Sequence, residues 1–417
     1  MDGDGEIGAA GRLVGDALAG AVRVVRDTHR AIADRAFTAA GPVSRPVRVV
    51  HDTIANGVYA IVGAAHAAVP RLIGTTAGYG WRPDQAPLSG RRAGRVTLAV
   101  VNGIWGDTLS ERNPELATPM AVVSGGSDVA PTAAALRAAF PAATPRIALF
   151  VHGLCETEDY WSMAARRHHG VDGTTLGSRL GREFGYTPVY LRYNTGLHVS
   201  DNGQRLAGLL EDLIAGWPVA VEEIALIGHS MGGLVIRSAG QQAAAAGCRW
   251  APAVRHVVFL GTPHLGAPLA RGVHTAAWLL ARFPESRPVG ELLSRRSVGV
   301  QDLAYGALLE DDWRAADVAA LPRDSCTDVP FLPRADHYFI GATVGGRRDD
   351  PLAAVIGDLF VPFGSAAGQG DRRRLPFPSG NGRHLGGLHH FDLLNHPAVH
   401  DQVCAWLARP STAPGSS

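Results

Sequence analysis

The sequence predicts an α/β fold, in which a mainly parallel sheet carries helices on both faces. Short apolar runs rich in Val, Ile and Leu alternate with amphipathic segments, as buried parallel strands joined by helices do. A Gly-x-Ser-x-Gly sequence stands at the junction of one such run and one such segment. The chain has 417 residues, 46% of them hydrophobic, so it can bury a large core.

The predicted strands are six short apolar runs, at 96–101, 147–151, 189–192, 224–227, 256–260 and 338–340. Amphipathic segments at 203–214 and 231–246 have the spacing of helices that cover a sheet. A closing helix is expected near 397–407. This alternation places the main domain at 95–408, with reacting groups expected in loops at the carboxyl ends of the strands.

The chain before the main domain has a different character. Apolar residues recur there at helical spacing, at Leu18, Val22, Val25, Ile32 and Phe37. Residues 1–73 are therefore predicted to form a helical appendage that docks on the protein's own core or on a second subunit. The alternative is peripheral contact with a membrane surface. Glycine, proline and arginine at 74–94 indicate a linker, and 409–417 has the composition of a disordered tail.

The stretch at 267–335 is far longer than an ordinary link between a helix and a strand, which has about two to six residues. Its apolar residues fall at roughly helical spacing and are Trp278, Leu279, Leu280, Phe283, Leu292, Leu293, Leu303, Leu308 and Leu309. We predict a helical cap insertion over the serine of the Gly-x-Ser-x-Gly sequence. The alternative is a purely structural helical insertion.

Composition excludes several classes of chemistry. With 39 basic and 38 acidic residues the net charge is +1, so no overall field gathers nucleic acid or an anionic membrane. The basic residues are all arginine, which excludes lysine-based Schiff-base chemistry. No metal or organic cofactor is expected. The cysteines form no Cys-x-x-Cys pair and are interpreted as small buried residues, with two disulfides as the alternative: Cys155, Cys248, Cys326 and Cys404.

The first residues bear on where the protein resides. Residues 1–6 are acidic where a secretory signal needs a basic region, so cytoplasmic residence is expected. Residues 53–70 carry no Asp, Glu or Arg, but Asn56 and His66 dilute their hydrophobicity. A packed or interfacial helix is preferred there to a membrane span.

Ser230 is the candidate nucleophile. It lies in Gly-His-Ser-Met-Gly, directly after a predicted strand and at the start of a predicted helix, which is the context of a nucleophile elbow. Serine needs a general base, and the oxyanion of its intermediate needs two backbone N–H donors. The turn after the strand at 147–151 supplies one donor, the N–H of Leu154, and Met231 supplies the other.

The base and its orienting acid should follow the serine along the chain. His390 stands before the closing helix and is preferred to its neighbour His389. Asp358 lies in a loop beyond the strand at 338–340. Its rivals are Asp336, Asp349 and Asp350. His152 precedes the serine, so it is interpreted as a residue that braces its loop.

Together these residues resemble the lipases and esterases of the α/β-hydrolase superfamily, including the branch of bacterial triacylglycerol lipases and GPI inositol-deacylase-like proteins. The likeness covers 95–407 and is carried by VHGL (151–154), YNTG (193–196), GHSMGG (228–233), GTPHLG (261–266), GDLFVP (357–362) and HFDLL (390–394). In such lipases the histidine of His-x-x-Leu-Leu is the base and the aspartate of Gly-Asp-x-x-Val-Pro orients it. The resemblance thus selects His390 and Asp358. NGIWGD at 102–107 is similar to a segment upstream of the core in some bacterial members.

The resemblance implies an α/β-hydrolase fold and a serine hydrolase that cleaves carboxylic esters, lipid or acyl esters among them, through an acyl-enzyme. The expected partner is a small-molecule or lipid ester. An acyltransferase or a thioesterase would use the same triad. A non-catalytic lipid-binding protein could also keep this fold.

Overall fold

The computed structural model describes residues 92–112, 114–267, 297–314, 326–346, 357–371 and 373–409, with isolated residues between 33 and 52. Most of the predicted appendage and linker, much of the predicted cap and the tail after 409 lie outside the described residues. The chain forms two compact units, Met1–Thr97 with Gly272–Ser294, and Leu98–Arg271 with Arg295–Ser417. In the first unit, Ala33 and Phe37 are helical and buried.

An eight-stranded sheet forms the centre of the second unit. Its strands are β1 (Ala121–Ser124), β2 (Ser127–Val129), β3 (Arg146–Val151), β4 (Tyr186–Arg192), β5 (Glu223–His229), β6 (Val254–Leu260), β7 (Asp336–Thr343) and β8 (Gly382–Gly386). Their order across the sheet is β2-β1-β4-β3-β5-β6-β7-β8. β1 is antiparallel to β2 and β4, and every pair from β4 to β8 is parallel. The mainly parallel sheet is the predicted one.

The described α-helices are α1 (Arg92–Arg112), α2 (Ala133–Ala139), α3 (Ala165–His169), α4 (Leu176–Phe184), α5 (Val199–Gly216), α6 (Met231–Ala246), α7 (Val298–Tyr305), α8 (Glu310–Arg314), α9 (Phe363–Ala366) and α10 (Pro397–Leu407). Short 3₁₀ turns occur at Pro114–Leu116, Glu158–Ser162, Ala251–Ala253 and His390–Leu394. Helices and turns connect successive strands, so the carboxyl ends of β3 to β8 lie along one edge.

The core has one layer on each face of the sheet, because side chains alternate along each strand. Leu149 of β3 points to the face covered by α5 and α6, where it packs among Leu210 and Leu234. Its neighbour Phe150 points to the other face and packs among Leu180 of α4 and Val403 of α10. This two-sided burial explains why the strands are nearly continuous apolar runs.

Five of the six predicted strands are confirmed, as are the helix at 231–246 and the closing helix. The strand prediction at 96–101 is wrong, because this run is part of the long helix α1. A short apolar run fits a buried helix as well as a strand, and its periodicity alone does not separate the two. The strands β1, β2 and β8 were not predicted, since they are short and partly exposed.

The described parts of the 267–335 stretch pack onto the sheet. Leu303 of α7 and Leu308 are buried in the same core layer as α6, and Leu332 joins them. The N–H of Ala267 donates to the carbonyl of Leu303 at 2.9 Å. These residues therefore belong to the core. The apolar residues predicted between 278 and 293 lie outside the described part, so a cap over the serine stays a prediction.

Candidate active site

Ser230 stands in a sharp turn between β5 and α6. Its backbone has φ +51° and ψ −123°, a conformation that costs free energy for a residue other than glycine. A Cβ at Gly228 would come within 2.6 Å of the N atom of Gly233, and one at Gly232 would collide with the carbonyl of Val151. Both glycines of the motif are thus required by close backbone approach, and the turn has the geometry of a nucleophile elbow.

Asp358 and His390 meet at the carboxyl edge of the sheet. His390 Nδ1 lies 2.6 Å from Asp358 Oδ2, and both side chains are almost fully buried. The other carboxylate oxygen, Oδ1, accepts the N–H groups of Phe360 and Val361 at 3.1 and 2.8 Å. The His390 N–H donates to the Asp358 carbonyl at 3.0 Å. The carboxylate is therefore held in place, and it directs the other ring nitrogen of His390 away from itself.

The electrostatics of this pair suit a general base. Burial by itself lowers the pKa of His390, but the charge of Asp358 and its hydrogen bond raise the pKa more, so it lies above the ordinary 6.5. The neighbouring His389 differs, since burial is the main cause that lowers its pKa. His389 Nδ1 accepts the Asp392 N–H and caps the turn that follows.

Asp336, a rival candidate for the orienting acid, lies at the opposite end of its strand from the site. Asp336 is the first residue of β7 and pairs with His256 near the start of β6. It therefore lies toward the end of the sheet opposite to Ser230. Asp349 and Asp350 lie outside the described residues.

Ser230 and His390 approach each other around the end of β6. The Ser230 N–H donates to the Leu260 carbonyl at 2.8 Å, and a Cβ placed on the next residue, Gly261, would lie 3.0 Å from Cε1 of His390. Gly261 has φ +59°, so glycine is needed there for both conformation and space. The described atoms include no hydrogen bond from Ser230 Oγ to His390, a bond that often tightens only when substrate binds.

The predicted oxyanion donors flank the serine. A Cβ on Gly153 would come within 2.9 Å of Ser230 Cβ, so the turn that carries Leu154 passes close to the nucleophile. Met231 is the first residue of α6, where the N–H has no acceptor within the helix. His152 is buried beside this turn, where it stacks on Tyr193 and its carbonyl accepts the Tyr193 hydroxyl. These contacts fit the predicted bracing role.

Sequence reasoning missed a buried pair behind the elbow, formed by Glu156 and His229. Glu156 Oε2 accepts the Gly153 N–H at 2.7 Å and lies 3.0 Å from His229 Nδ1. His229 Nε2 lies 3.1 Å from the carbonyl oxygen of His390. Burial raises the pKa of Glu156, but the charge and hydrogen bond of His229 lower it more, so it lies below its ordinary value. Glu156 is one of three acidic residues at 156–159, and no pattern distinguishes the buried one.

A family model matches the central part of the chain. Residues 144–315 match the model of the PGAP1-like alpha/beta domain. The chain has the α/β-hydrolase fold. No curated protein matches it significantly.

Solved structures similar to this chain include lipases and esterases. They include the Bacillus licheniformis lipase BlEst2 in propeptide form (18% identity, TM-score 0.43, covering 65% of this chain and 52% of that one). Phospholipase PlaB from Legionella pneumophila shares 14% identity with TM-score 0.30, covering 53% of this chain and 45% of that one. The hyperthermophilic esterase of Pyrobaculum calidifontis shares 15% with TM-score 0.35, covering 80% and 92%. The chain spans about half the length of the first two.

The NGIWGD motif at 102–107 has a structural role. Asn194 Nδ2, from the YNTG motif, donates to the Gly106 carbonyl at 2.8 Å. A side chain on Gly103 would collide with Cys155 Sγ, next to the predicted oxyanion turn. The Asn102 side chain accepts the Thr118 N–H and donates to two carbonyls. The motif, which is part of α1, thus contacts the loop after β4, the turn after β3 and the segment before β1.

Among the described residues, little further chemistry is available beyond these side chains. All four cysteines are free thiols, so the alternative of two disulfides is wrong, and only Cys404 is fully buried. Burial raises the pKa of the Cys155 thiol to about 12, which keeps it protonated and unreactive. The described His, Cys, Asp and Glu residues form no group of three able to hold a metal. Among the described helices, none combines the length and apolar character needed to cross a membrane.

Proposed function

We propose that this α/β-hydrolase cleaves carboxylic esters, in particular lipid or acyl esters, with Ser230, His390 and Asp358 as a catalytic triad. The observation that carries the proposal is the buried contact of 2.6 Å between His390 Nδ1 and Asp358 Oδ2. It leaves Nε2 of His390 as the free nitrogen, next to the strained turn that presents Ser230. This is the order of roles in a serine hydrolase.

In the first half of the proposed cycle, His390 Nε2 takes the proton of Ser230 as Oγ attacks the ester carbonyl. The imidazolium that forms is stabilised by the Asp358 carboxylate, which stays ionised. The negative oxygen of the tetrahedral intermediate accepts the N–H groups of Leu154 and Met231. When the intermediate collapses, His390 returns the proton to the leaving alcohol, and the acyl group stays on Ser230.

In the second half, His390 takes a proton from water as the water oxygen attacks the acyl-enzyme. Collapse of the second intermediate breaks the bond to Ser230 Oγ, which recovers its proton from His390. The acid leaves and the enzyme returns to its starting state. No metal or organic cofactor enters these steps.

The surroundings of the base support an apolar substrate. The Phe360 ring centroid lies 5.4 Å from that of His390, and the Phe391 ring lies 5.7 Å from that of Phe360. Phe360 and Phe391 are both only partly buried. Aromatic rings that remain partly exposed next to a base favour an acyl chain over a polar group.

Fluorophosphonate labelling tests the proposal. We expect the wild type to be labelled at Ser230 and to hydrolyse 4-nitrophenyl esters, and Ser230→Ala to lose both properties while its circular dichroism is unchanged. Ser238→Ala is the matched control, because Ser238 is a buried serine of α6 that follows the nucleophile. Full turnover by Ser230→Ala would remove the serine from the mechanism.

A further inference from the structure

Two buried arginines lie on the α6 face of the sheet with hydrogen-bond donors that no atom of the described residues accepts. Arg237 of α6 uses Nη2 for the carbonyl of Val329 at 3.0 Å, while its Nε and Nη1 have no hydrogen-bond partner among the described residues. Arg373 uses Nη2 for the carbonyl of His264 at 3.5 Å, and its Nε and Nη1 likewise have no hydrogen-bond partner there. The two residues are 6% and 5% exposed. Buried arginines normally satisfy all their donors.

A buried histidine and a set of aromatic rings complete this group. Both ring nitrogens of His264 are buried and have no hydrogen-bond partner among the described residues. Its ring contacts Phe259 edge-on, with centroids 4.8 Å apart, and lies 5.6 Å from Phe377. The Arg237 guanidinium stands 5.9 Å above the ring of Phe331. We call Arg237, Arg373 and His264 the arginine cluster.

The charges of the arginine cluster do not balance. The described carboxylate nearest to it is Asp328, with Oδ1 3.6 Å from Arg373 Nε, and the Asp328 side chain is 86% exposed. Burial and the neighbouring Arg373 lower the pKa of Arg237 to about 9, so its guanidinium still carries its charge at neutral pH. Burial is also the main cause that lowers the pKa of His264, so its ring is neutral there. Asp312 also acts on Arg237 through its charge, but the described residues place no carboxylate within hydrogen-bond distance of either guanidinium. Two buried cations without such a partner are an unfavourable arrangement unless a further anion binds.

We propose that the arginine cluster binds a small oxyanion of the phosphate or sulfate type, either free or as the end group of a phosphate monoester. Guanidinium donors match the oxygens of such anions, and burial strengthens the attraction. A neutral imidazole adds one donor. The neighbouring phenylalanine rings offer no strong hydrogen-bond acceptor. The oxygens of a bound anion would therefore be the acceptors for the unpaired donors of the cluster. This site is independent of the proposed ester hydrolysis.

The position of the cluster links it to the elbow. Arg237 follows Ser230 by seven residues along α6, roughly 10 Å along the helix axis. His264 belongs to the loop after β6, whose first residue Gly261 lies against His390. Arg373 in turn donates to the carbonyl of His264 in this loop. An anion held by Arg237 and Arg373 therefore connects the nucleophile helix to the loop and stabilises the folded state.

Thermal unfolding at constant ionic strength tests the site. The full chain is titrated with inorganic phosphate or sulfate that replaces chloride, and binding is measured in parallel by calorimetry. We expect one bound anion, and a Tm that rises by about 2–4 °C per tenfold increase above the Kd. Arg237→Met and Arg373→Met should abolish both effects. Arg205→Met is the matched control, since Arg205 is an exposed arginine of the neighbouring helix α5 and should keep them.

The outcomes separate the sources of the anion. Binding of glycerol 3-phosphate as well as phosphate, both lost in the two variants, would extend the site to phosphate monoesters, whereas a response to the inorganic ions alone would restrict it to free anions. The same Tm slope in all variants would show a general salt effect and overturn the proposal. The proposal also fails if no anion binds. A strong fall in the Tm of Arg237→Met in chloride would then show that the partner of Arg237 lies within the chain.

Discussion

His229 and Glu156 form a buried pair directly behind the nucleophile, with His229 Nδ1 2.8 Å from Glu156 Oε1. His229 Nε2 faces the carbonyl oxygen of His390, which can only accept, so Nε2 carries a proton. Nδ1 faces the Glu156 carboxylate. The pair therefore connects the oxyanion turn, held through the Gly153 N–H, to the backbone of the proposed base.

We predict that Glu156→Gln lowers kcat by roughly ten- to a hundredfold, because both the turn and His390 lose a fixed position. The change leaves buried donors less well paired and should cost about 1–3 kcal/mol of unfolding free energy. The measurements are steady-state kinetics and urea unfolding. Glu222→Gln, at an exposed glutamate, is the control and should change neither. A Glu156→Gln enzyme with normal kcat would show that the pair has no positioning role.

The two adjacent histidines should differ sharply in their effect on turnover. His390→Ala and Asp358→Asn are each expected to lower kcat at least about a thousandfold, since the first removes the base and the second its orientation. His389→Ala removes a capping contact and a contact of 3.3 Å with the Asp392 carboxylate, and it should cost about 1 kcal/mol of stability with a mild kinetic effect. Kinetics of the three purified variants decide this. The opposite ranking of the histidines would move the base to His389.

Activity and the stability of the His390–Asp358 pair should depend on pH in opposite directions. His390 must be neutral to accept a proton, and its pKa is raised above 6.5, so kcat/KM should fall as the pH drops through that raised value. A raised folded-state pKa means that the pair stabilises the fold fully below the unfolded pKa of 6.5 and loses this contribution as the pH rises through the folded value.

The pH profiles of kcat/KM and Tm for the wild type and Asp358→Asn check this prediction. In the variant, burial acts without the opposing charge, so its acid limb should shift to lower pH. Its Tm deficit should be larger at pH 6 than at pH 9. An acid limb at the same pH in both proteins would show that another group controls it.

Acyl-chain length should control catalytic efficiency if the 267–335 stretch forms a cap that lines the pocket. Each buried CH₂ contributes about 0.8 kcal/mol, so kcat/KM should rise severalfold per two carbons until the pocket is full. The test is a series of 4-nitrophenyl esters from acetate to palmitate, below their micelle concentrations. A flat profile, or one that falls steadily from acetate, would indicate a small-ester esterase and a purely structural insertion.

Local signals in the sequence were enough for the sheet and for the elbow. Residues 224–227 of β5 form a continuous apolar run, and the apolar residues of α6 have helical spacing. The glycines of the motif between them predict a tight turn. The same signals fail where they are weak. The apolar run at 96–101 fits a strand in isolation but continues a helix, and β8 (Gly382–Gly386) has too little apolar alternation to be recognised.

What the sequence by itself determined is thus the five parallel strands β3 to β7, the helices α6 and α10, and the candidates Ser230, His390 and Asp358. Only the tertiary structure decided which distant residues meet. Glu156 and His229 are 73 positions apart in the chain, and Arg237 and Arg373 are farther apart still. The physical reason is that burial and pairing of a charge depend on neighbours from other strands and loops, and no local periodicity encodes such contacts.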